Sequence, residues 1–136
     1  MAKPIPTKLH GVIDYLAVGT LLALPRALGW PAPLTNLLTG SAATTLGSSL
    51  LTRYELGLFK VLPMPGHLAL DGLTAALHGA APFLLLDADQ RKRGNLLPVL
   101  LGLVAFETAA TLLTRTRPPA EERAAQALDD LSAAAA

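Results

Sequence analysis

Four long stretches of this chain carry almost no charged side chains. Leu9 to Leu28 contains only one acid and one arginine, and Leu34 to Thr52 contains no charge at all. Val61 to Leu86 and Leu96 to Thr114 contain one acid each. An α-helix needs about 20 apolar residues to cross a hydrocarbon core roughly 30 Å thick, and each stretch is about that long. The pattern therefore predicts an all-α membrane protein with four transmembrane helices.

A soluble four-helix bundle is the main alternative, and its helices would set Lys- and Glu-rich faces opposite their apolar stripes. No such face is present in the four stretches. Charged residues make up only 15% of the 136 residues, against roughly 25% in a typical soluble domain. The second stretch is the most polar, yet its polarity comes from hydroxyls, glycines and one amide. We therefore expect a multi-pass integral protein of the cell (inner) membrane.

Composition also excludes several classes of function. A net charge of +1 with 4% aromatic residues argues against a nucleic-acid-binding protein. The absence of cysteine excludes disulfides, thiolate nucleophiles and Cys-ligated metals. The sequence contains no P-loop, G-x-S-x-G, H-E-x-x-H or G-x-G-x-x-G motif, so we do not expect an enzyme. The expected partners are the lipid bilayer and, as an alternative that the sequence leaves open, further copies of the chain in a homo-oligomer.

The chain repeats itself. A shift of 57 residues superimposes two P-x3-H-x3-D-x10-P patterns, and a shift of 62 superimposes two Leu-Leu-Thr-Arg segments. Because each repeat holds two spans, the halves are predicted to be tandem helical hairpins related by a pseudo-two-fold axis along the membrane normal. The matched residues are Pro6 and Pro63, His10 and His67, Asp14 and Asp71, Pro25 and Pro82, and Leu50 to Arg53 with Leu112 to Arg115.

The repeat sets the predicted organisation of the chain. Lysine and arginine number seven on the side of the amino terminus and four on the other side, which predicts that both termini are cytoplasmic. The predicted parts are a first two-helix repeat at residues 1–53 (spans 9–28 and 34–52), an interfacial linker at 54–66 expected to contain a short amphipathic helix, a second repeat at 67–115 (spans 67–86 and 96–114), and an Ala-rich polar tail at 116–136, expected as a short helix or disordered.

Three segments carry a family resemblance. Lys8 to Tyr15 opens the first repeat, Leu51 to Gly57 lies at the centre, and His67 to Asp71 opens the second repeat. Over about residues 8–115 this arrangement resembles the small bacterial SPW-repeat membrane proteins. The triplet that names the family is replaced here by Leu24-Pro25-Arg26 and Ala81-Pro82-Phe83. The resemblance implies a four-span inner-membrane protein and implies no particular activity.

The two H-x3-D motifs are the main candidate site. Residues at i and i+4 share a helix face, so His10 lies with Asp14 and His67 with Asp71. A carboxylate inside a membrane is costly, about 2.5–3.5 kcal/mol at a helix centre, and therefore suggests a function. Arg53 and Arg115 end the second and fourth spans on the same side. The sequence thus predicts a symmetric His/Asp/Arg layer near one membrane face.

Three interpretations of this layer remain open. In the first, each Asp is held by an Arg from a neighbouring helix and by its His, and the layer clamps the helices of a structural, scaffold or interaction protein without a cofactor. In the second, the His and Asp groups conduct protons or ions in a small transporter, with Glu107 deeper in the membrane. In the third, His10, Asp14, His67 and Asp71 bind a divalent metal, or the two histidines bind haem.

Four further polar residues are secondary candidates. His78 and Glu107 have no counterparts in the first repeat, so we expect them either to pair across the third and fourth spans or each to meet a hydroxyl. Tyr54 and Glu55 follow the second span, and we interpret them as an interfacial anchor and a helix-end contact.

Overall fold

The computed structural model describes residues 3–135, and this part of the chain is all-helical apart from two isolated bridges. Each of the four longest helices inside residues 3–118 begins and ends within three residues of a predicted span. The helices are α1 (Thr7–Ala27), α2 (Ala32–Leu51), α3 (Met64–Leu85), α4 (Ala88–Arg91), α5 (Leu96–Leu113) and α6 (Pro119–Ala134).

Prolines mark the starts of the helices. The residue before the first helical residue is a proline in α1, α2, α3 and α6, with an extended ψ between 142° and 157°. Proline has a fixed φ and no backbone N–H, so it suits a position where the helix has not yet begun to form hydrogen bonds. At the other end of α1, Gly29 adopts a φ of +61°, which reverses the chain toward α2.

The long helices form two hairpins that pack side by side. α1 packs against α2, α3 packs against α5, and the two hairpins meet mainly through α2 and α3. One buried apolar cluster lies near the turn ends of the hairpins and includes Leu21, Trp30, Leu34, Leu96 and Leu100. The opposite end of the protein, where α1 and α3 begin, holds a smaller apolar cluster and the polar residues described below.

The linker between the hairpins contains no helix, so the expected amphipathic helix there was wrong. The backbone N–H groups of Leu58 and Phe59 donate to the Leu50 carbonyl, and Leu62 donates to the Leu51 carbonyl. The linker therefore folds back, and its N–H groups donate to the last carbonyls of α2, which have no partner within the helix. Gly57 permits this path, because a Cβ there would collide with the Thr52 carbonyl.

Two helices are long and apolar enough to cross a membrane. In α3 and α5, only 28% and 17% of the most apolar 18 residues are buried inside the protein. Large apolar side chains such as Leu73, Leu84, Phe106 and Leu112 are mostly exposed. The other two long helices do not meet the same criterion: α2, for example, carries seven serine and threonine residues.

The polar loop and the tail are also helical. The loop after α3 holds the single turn α4, which Asp87 caps: its carboxylate accepts from the Gln90 N–H, and the Gln90 side chain accepts from the Asp87 N–H. The tail forms α6, which buries none of its residues.

Candidate functional site

Two histidines and two aspartates from α1 and α3 meet at one end of the protein. His10 Nε2 lies 3.0 Å from Asp71 Oδ2 and 3.3 Å from Asp14 Oδ1. His67 Nε2 lies 3.1 Å from Asp14 Oδ2 and 3.3 Å from Asp71 Oδ2. Each imidazole thus contacts the acid of its own helix and the acid of the other hairpin. We call these four residues the His/Asp cluster.

The cluster is deeply buried. The side chains of His10, His67 and Asp14 are 2%, 0% and 6% exposed, whereas Asp71 is 16% exposed. Charged groups lose much of their hydration when they are buried this far, so each needs a partner of opposite charge or a hydrogen bond. Asp71 is the most exposed member of the cluster.

Two threonines fix the orientation of the imidazoles. Thr52 Oγ1 donates to the Ser48 carbonyl at 2.6 Å and lies 2.8 Å from His67 Nδ1. Thr114 Oγ1 donates to the Ala110 carbonyl at 2.6 Å and lies 2.7 Å from His10 Nδ1. We assign each hydroxyl proton to the carbonyl at 2.6 Å, so that the threonine oxygen accepts and Nδ1–H donates.

In this tautomer, Nε2 of each ring carries the lone pair and faces the carboxylates. A neutral imidazole that donates from Nδ1 has only a lone pair on Nε2, and a lone pair 3.0–3.3 Å from carboxylate oxygens is repelled unless a cation lies between them. His67 Nε2 satisfies the geometry of no hydrogen bond despite these short distances. With this assignment, the cluster carries two negative charges that two protons or one divalent ion would balance.

Asp14 has two further partners. Ser49 Oγ and Tyr54 OH each donate to Asp14 Oδ2 at 3.2 Å. Tyr54 is only 2% exposed, and burial raises the pKa of its phenol, so the hydroxyl keeps its proton and remains a donor. Its ring approaches α1 closely at Gly11, where a Cβ would collide with it. The interpretation of Tyr54 as an interfacial anchor was wrong, because the side chain is part of the buried site.

Glu55 makes the expected helix-end contact. Its carboxylate accepts from the hydroxyl of Thr7, the first residue of α1, at 2.8 Å. An acidic group near the amino terminus of a helix also interacts favourably with the positive end of the helix dipole. Glu55 therefore stabilises the start of α1 and lies outside the His/Asp cluster.

The two arginines of the predicted layer lie elsewhere. Arg53 Nε donates to the Lys60 carbonyl, and Arg115 Nε donates to the Lys3 carbonyl, each at 3.0 Å. Within residues 3–135, no arginine forms an ion pair with Asp14 or Asp71. The arginines instead tie the segments that precede α1 and α3 to the ends of α5 and α2. An Arg–Asp clamp is therefore not what holds the acids.

His78 and Glu107 pair across α3 and α5, as one of the two sequence alternatives predicted. His78 Nδ1 lies 3.2 Å and 3.0 Å from the two Glu107 carboxylate oxygens. The His78 side chain is 0% exposed and that of Glu107 is 14% exposed. His78 Nε2 is buried without a hydrogen-bond partner. This pair therefore has fewer partners than the His/Asp cluster.

A cavity of about 280 Å³ opens between α1 and α5. Three members of the cluster, His10, Asp14 and Asp71, line one part of it, and Glu107 lines another. The rest of the wall is mainly apolar, with threonine hydroxyls between leucines and Phe106. The cavity connects the buried cluster and the His78–Glu107 pair to the outside of the helix bundle.

The residues that sequence reasoning missed are Thr52, Thr114 and Ser49. The two threonines were visible in the repeat as the third residue of the matched Leu-Leu-Thr-Arg segments. The adjacent arginines were predicted as site residues because they are charged, but the threonines are the residues that contact the histidines. Ser49 has no comparable signal, since the residue that matches it, Thr111, uses its hydroxyl on the Glu107 carbonyl.

The contacts of the two halves correspond under the sequence offsets of 57 and 62. Thr52 with His67 corresponds to Thr114 with His10. At the edge of the site, the Arg53 N–H donates to the Leu62 carbonyl at 2.8 Å and the Arg115 N–H donates to the Ile5 carbonyl at 2.9 Å. The Ser49 and Tyr54 contacts of Asp14 have no counterpart at Asp71.

Comparison of the chain with protein-family models, with curated proteins and with solved structures found no match.

Proposed function

We propose that this protein binds one divalent transition-metal ion, such as Zn²⁺, at His10, Asp14, His67 and Asp71, and that the ion fastens its two helical hairpins together. The observation that carries the proposal is the direction of the imidazoles. Thr52 and Thr114 accept from Nδ1, so both Nε2 lone pairs face carboxylate oxygens. A divalent ion between them balances the two carboxylate charges and receives both lone pairs.

The spacing of the donor atoms suits such an ion. Zn²⁺ binds His nitrogen and carboxylate oxygen at about 2.0–2.2 Å, which places neighbouring donors of a tetrahedron roughly 3.3 Å apart. The four N···O distances, which involve Oδ2 of Asp71 and both carboxylate oxygens of Asp14, are between 3.0 and 3.3 Å and close to this value. One ligand atom from each residue lies within 4.8 Å of all the others.

Haem fits this site poorly. The rings of His10 and His67 are T-shaped, with centroids 5.4 Å apart, and two carboxylates share the space between them. A porphyrin plane between the rings needs more room than this. The donor set of two imidazoles and two carboxylates matches a single small ion instead.

The surrounding residues match the outer shell of a metal centre. Metal-bound histidines almost always donate from the second ring nitrogen, and bound carboxylates accept hydrogen bonds of their own. Thr52 and Thr114 supply acceptors for the histidines, and Ser49 and Tyr54 supply donors for Asp14. Four protein ligands with little exposure are typical of a structural site, so we assign the ion a structural role and no catalytic step.

The proposal includes a membrane setting. The exposed apolar faces of α3 and α5 support an integral membrane protein, and α1 and α2, which pack with them, complete a four-span bundle in the inner membrane with both termini in the cytoplasm. The corresponding contacts of the two halves support a pseudo-two-fold arrangement of the hairpins.

A second candidate is a clamp that needs no metal. The His10 Nε2 to Asp71 Oδ2 distance of 3.0 Å satisfies hydrogen-bond geometry, so a proton can take the place of an ion between these two atoms. Two imidazolium rings with two carboxylates would be neutral overall, and the protein would then be a scaffold held by ion pairs alone. The two candidates differ in whether a metal ion is bound.

Metal analysis of the purified protein separates the candidates. Full-length protein in detergent is stripped with a chelator and titrated with Co²⁺, whose absorption spectrum reports coordination geometry. We expect one ion per chain with the intense bands of a tetrahedral site, loss of these bands in His67→Ala, and retention in the matched variant His78→Ala. A wild-type protein that binds no Co²⁺ or Zn²⁺ would overturn the metal proposal and favour the clamp.

A further inference from the structure

The cavity between α1 and α5 lies where the repeat predicts a contact. The sequence match pairs α1 with α3 and α2 with α5, so the counterpart of the α2–α3 contact is a contact between α1 and α5. α2 and α3 pack together, whereas α1 and α5 make no comparable contact and leave a cavity of about 280 Å³. The bundle is therefore closed on one side and has a gap on the other.

The cavity opens near the middle of the helices. Leu16 lines it from α1 and Phe106 lines it from α5, and these side chains are 67% and 54% exposed. In the proposed four-span bundle, the middle of each helix faces the hydrocarbon core of the bilayer. A molecule that enters the cavity here comes from the lipid, so its body must be mainly apolar.

The polar groups of the cavity wall offer hydrogen-bond acceptors. Thr20 and Thr111 line the cavity, and each hydroxyl donates to a backbone carbonyl of its own helix at 2.9 Å, so each oxygen is left with lone pairs. Glu107 is 14% exposed, and within residues 3–135 its carboxylate contacts only His78 Nδ1. An ionised carboxylate with one donor has lone pairs to spare. The group that completes this wall is therefore a hydrogen-bond donor.

Glu107 is better placed than Asp71 to meet such a donor. Asp71 Oδ2 already lies 3.0 Å from His10 Nε2 and 3.3 Å from His67 Nε2. Glu107 follows Phe106, which borders the opening, and a neutral His78 leaves its carboxylate with a net negative charge beside a mainly apolar wall. A second donor to this carboxylate lowers the cost of burying the charge.

The volume of the cavity limits the body of the ligand. An apolar cavity of about 150 Å³ holds one benzene ring. This cavity measures about 280 Å³, so it has room for a body of roughly two fused rings. Phe106 supplies an aromatic surface against which such rings can pack.

We propose that the cavity between α1 and α5 binds a lipid-soluble aromatic alcohol of about two rings, which donates its hydroxyl to Glu107, positioned by His78. The binding does not require the metal ion. It depends on the proposed membrane setting only for the side from which the ligand enters.

The first test compares two probes that differ in one donor. Full-length protein in detergent is dialysed to equilibrium with 2-naphthol or with 2-methoxynaphthalene, against the same detergent without protein, so that partition into micelles is subtracted. We expect saturable binding of one 2-naphthol per chain and about 10-fold weaker binding of the ether, which cannot donate. Equal affinity for the two probes would overturn the assignment of the donor.

The second test removes the acceptor. Glu107→Ala is expected to bind both probes with the lower affinity of the ether, because the preference for the hydroxyl comes from the carboxylate. Glu55→Ala is the matched control and should keep the preference, since Glu55 contacts Thr7 and lies outside the cavity wall. A folded Glu107→Ala variant that still prefers 2-naphthol about 10-fold would overturn the role of Glu107.

The third test fills the cavity. Ala17 lines it, so Ala17→Phe is expected to abolish the saturable binding of both probes. Ala76→Phe is the control, because Ala76 is exposed on α3 and lies outside the cavity wall. Far-ultraviolet circular dichroism checks the fold of each variant, and the comparison of probes on the wild type decides the matter if Ala17→Phe does not fold.

The remaining outcomes distinguish this site from the metal site and from other ligands. A wild type that shows the Co²⁺ spectrum but no saturable binding of 2-naphthol would overturn the alcohol site and leave the metal site standing. Saturable 2-naphthol binding without a Co²⁺ spectrum would do the reverse. Tighter binding of the cation 2-naphthylmethylammonium than of 2-naphthol would overturn the alcohol in favour of an amine.

Discussion

The protein buries histidine beside acid in two places, and the two places differ in how many partners they supply. In the His/Asp cluster, both histidines have an acceptor for Nδ1, and Asp14 receives hydrogen bonds from Ser49 and Tyr54. The His78–Glu107 pair has two contacts, both between His78 Nδ1 and the Glu107 carboxylate, and His78 Nε2 is left without a partner. The comparison teaches that burial alone does not define an ion site; an ordered set of outer partners does.

The largest difference in the free energy of unfolding is expected when one acid is removed from each of the two places. Asp14→Ala leaves His10, His67, Ser49 and Tyr54 without their shared partner and should lower the free energy of unfolding by about 3–5 kcal/mol. Glu107→Ala affects one partner, His78, and should lower the free energy of unfolding by about 1–3 kcal/mol. Denaturant titration in detergent, followed by far-ultraviolet circular dichroism, measures both. Equal losses would contradict the distinction between the two places.

Metal should stabilise through the cluster and not through the pair. Zn²⁺ at about 100 times its Kd should raise the free energy of unfolding of the wild type by about 2.7 kcal/mol. His67→Ala should show no such rise, whereas His78→Ala should keep it. Thermal or denaturant unfolding with and without Zn²⁺ measures the rise, and an equal response of the two variants would refute the assignment.

The threonines provide a finer test. Thr52→Val and Thr114→Val each remove the acceptor of one Nδ1–H and should weaken metal binding 10–100-fold, the usual effect of losing an outer-shell partner. The two variants should weaken it to a similar extent, since their contacts correspond. Thr111→Val is the control, because its hydroxyl serves only the Glu107 carbonyl. Competition with a coloured chelator measures the affinity, and unchanged values in both threonine variants would disprove the tautomer argument.

The smallest expected effect is at Tyr54. Tyr54→Phe removes one donor to Asp14 and should lower the free energy of unfolding by about 0.5–1.5 kcal/mol, with a parallel loss of Zn²⁺ affinity. Tyr15→Phe removes a hydrogen bond to the Leu56 carbonyl instead and should reduce stability without a change in affinity. The same two assays compare them, and a loss of affinity in Tyr15→Phe would count against a specific role for Tyr54.

Charge spacing and the repeat predict much of this protein from its sequence. Because the four nearly uncharged stretches and their proline and glycine boundaries are local features, the helices match them closely. The repeat also predicts that His10 matches His67 and Asp14 matches Asp71, but it left open whether the four residues meet or each acid is held by an arginine.

Long-range contacts were harder to predict. Arg53 and Arg115 have long side chains that reach backbone carbonyls on the rim as easily as a buried acid. Tyr54 enters the site because the linker folds back over the end of α2, which depends on contacts between Gly57, Leu58 and Leu50 that have no periodic signature.

One hydrogen bond of the site joins two residues that are far apart in the sequence. Thr114 holds His10 across 104 residues of sequence, so the imidazole of the first helix receives its partner only after the last long helix has been made. Domains and hairpins form in order as the chain emerges from the ribosome. A chain that stops before residue 114 has all four ligands but lacks one of their supports. At the proposed metal site, a chain that lacks Thr114 should therefore bind the ion more weakly than a chain that contains it.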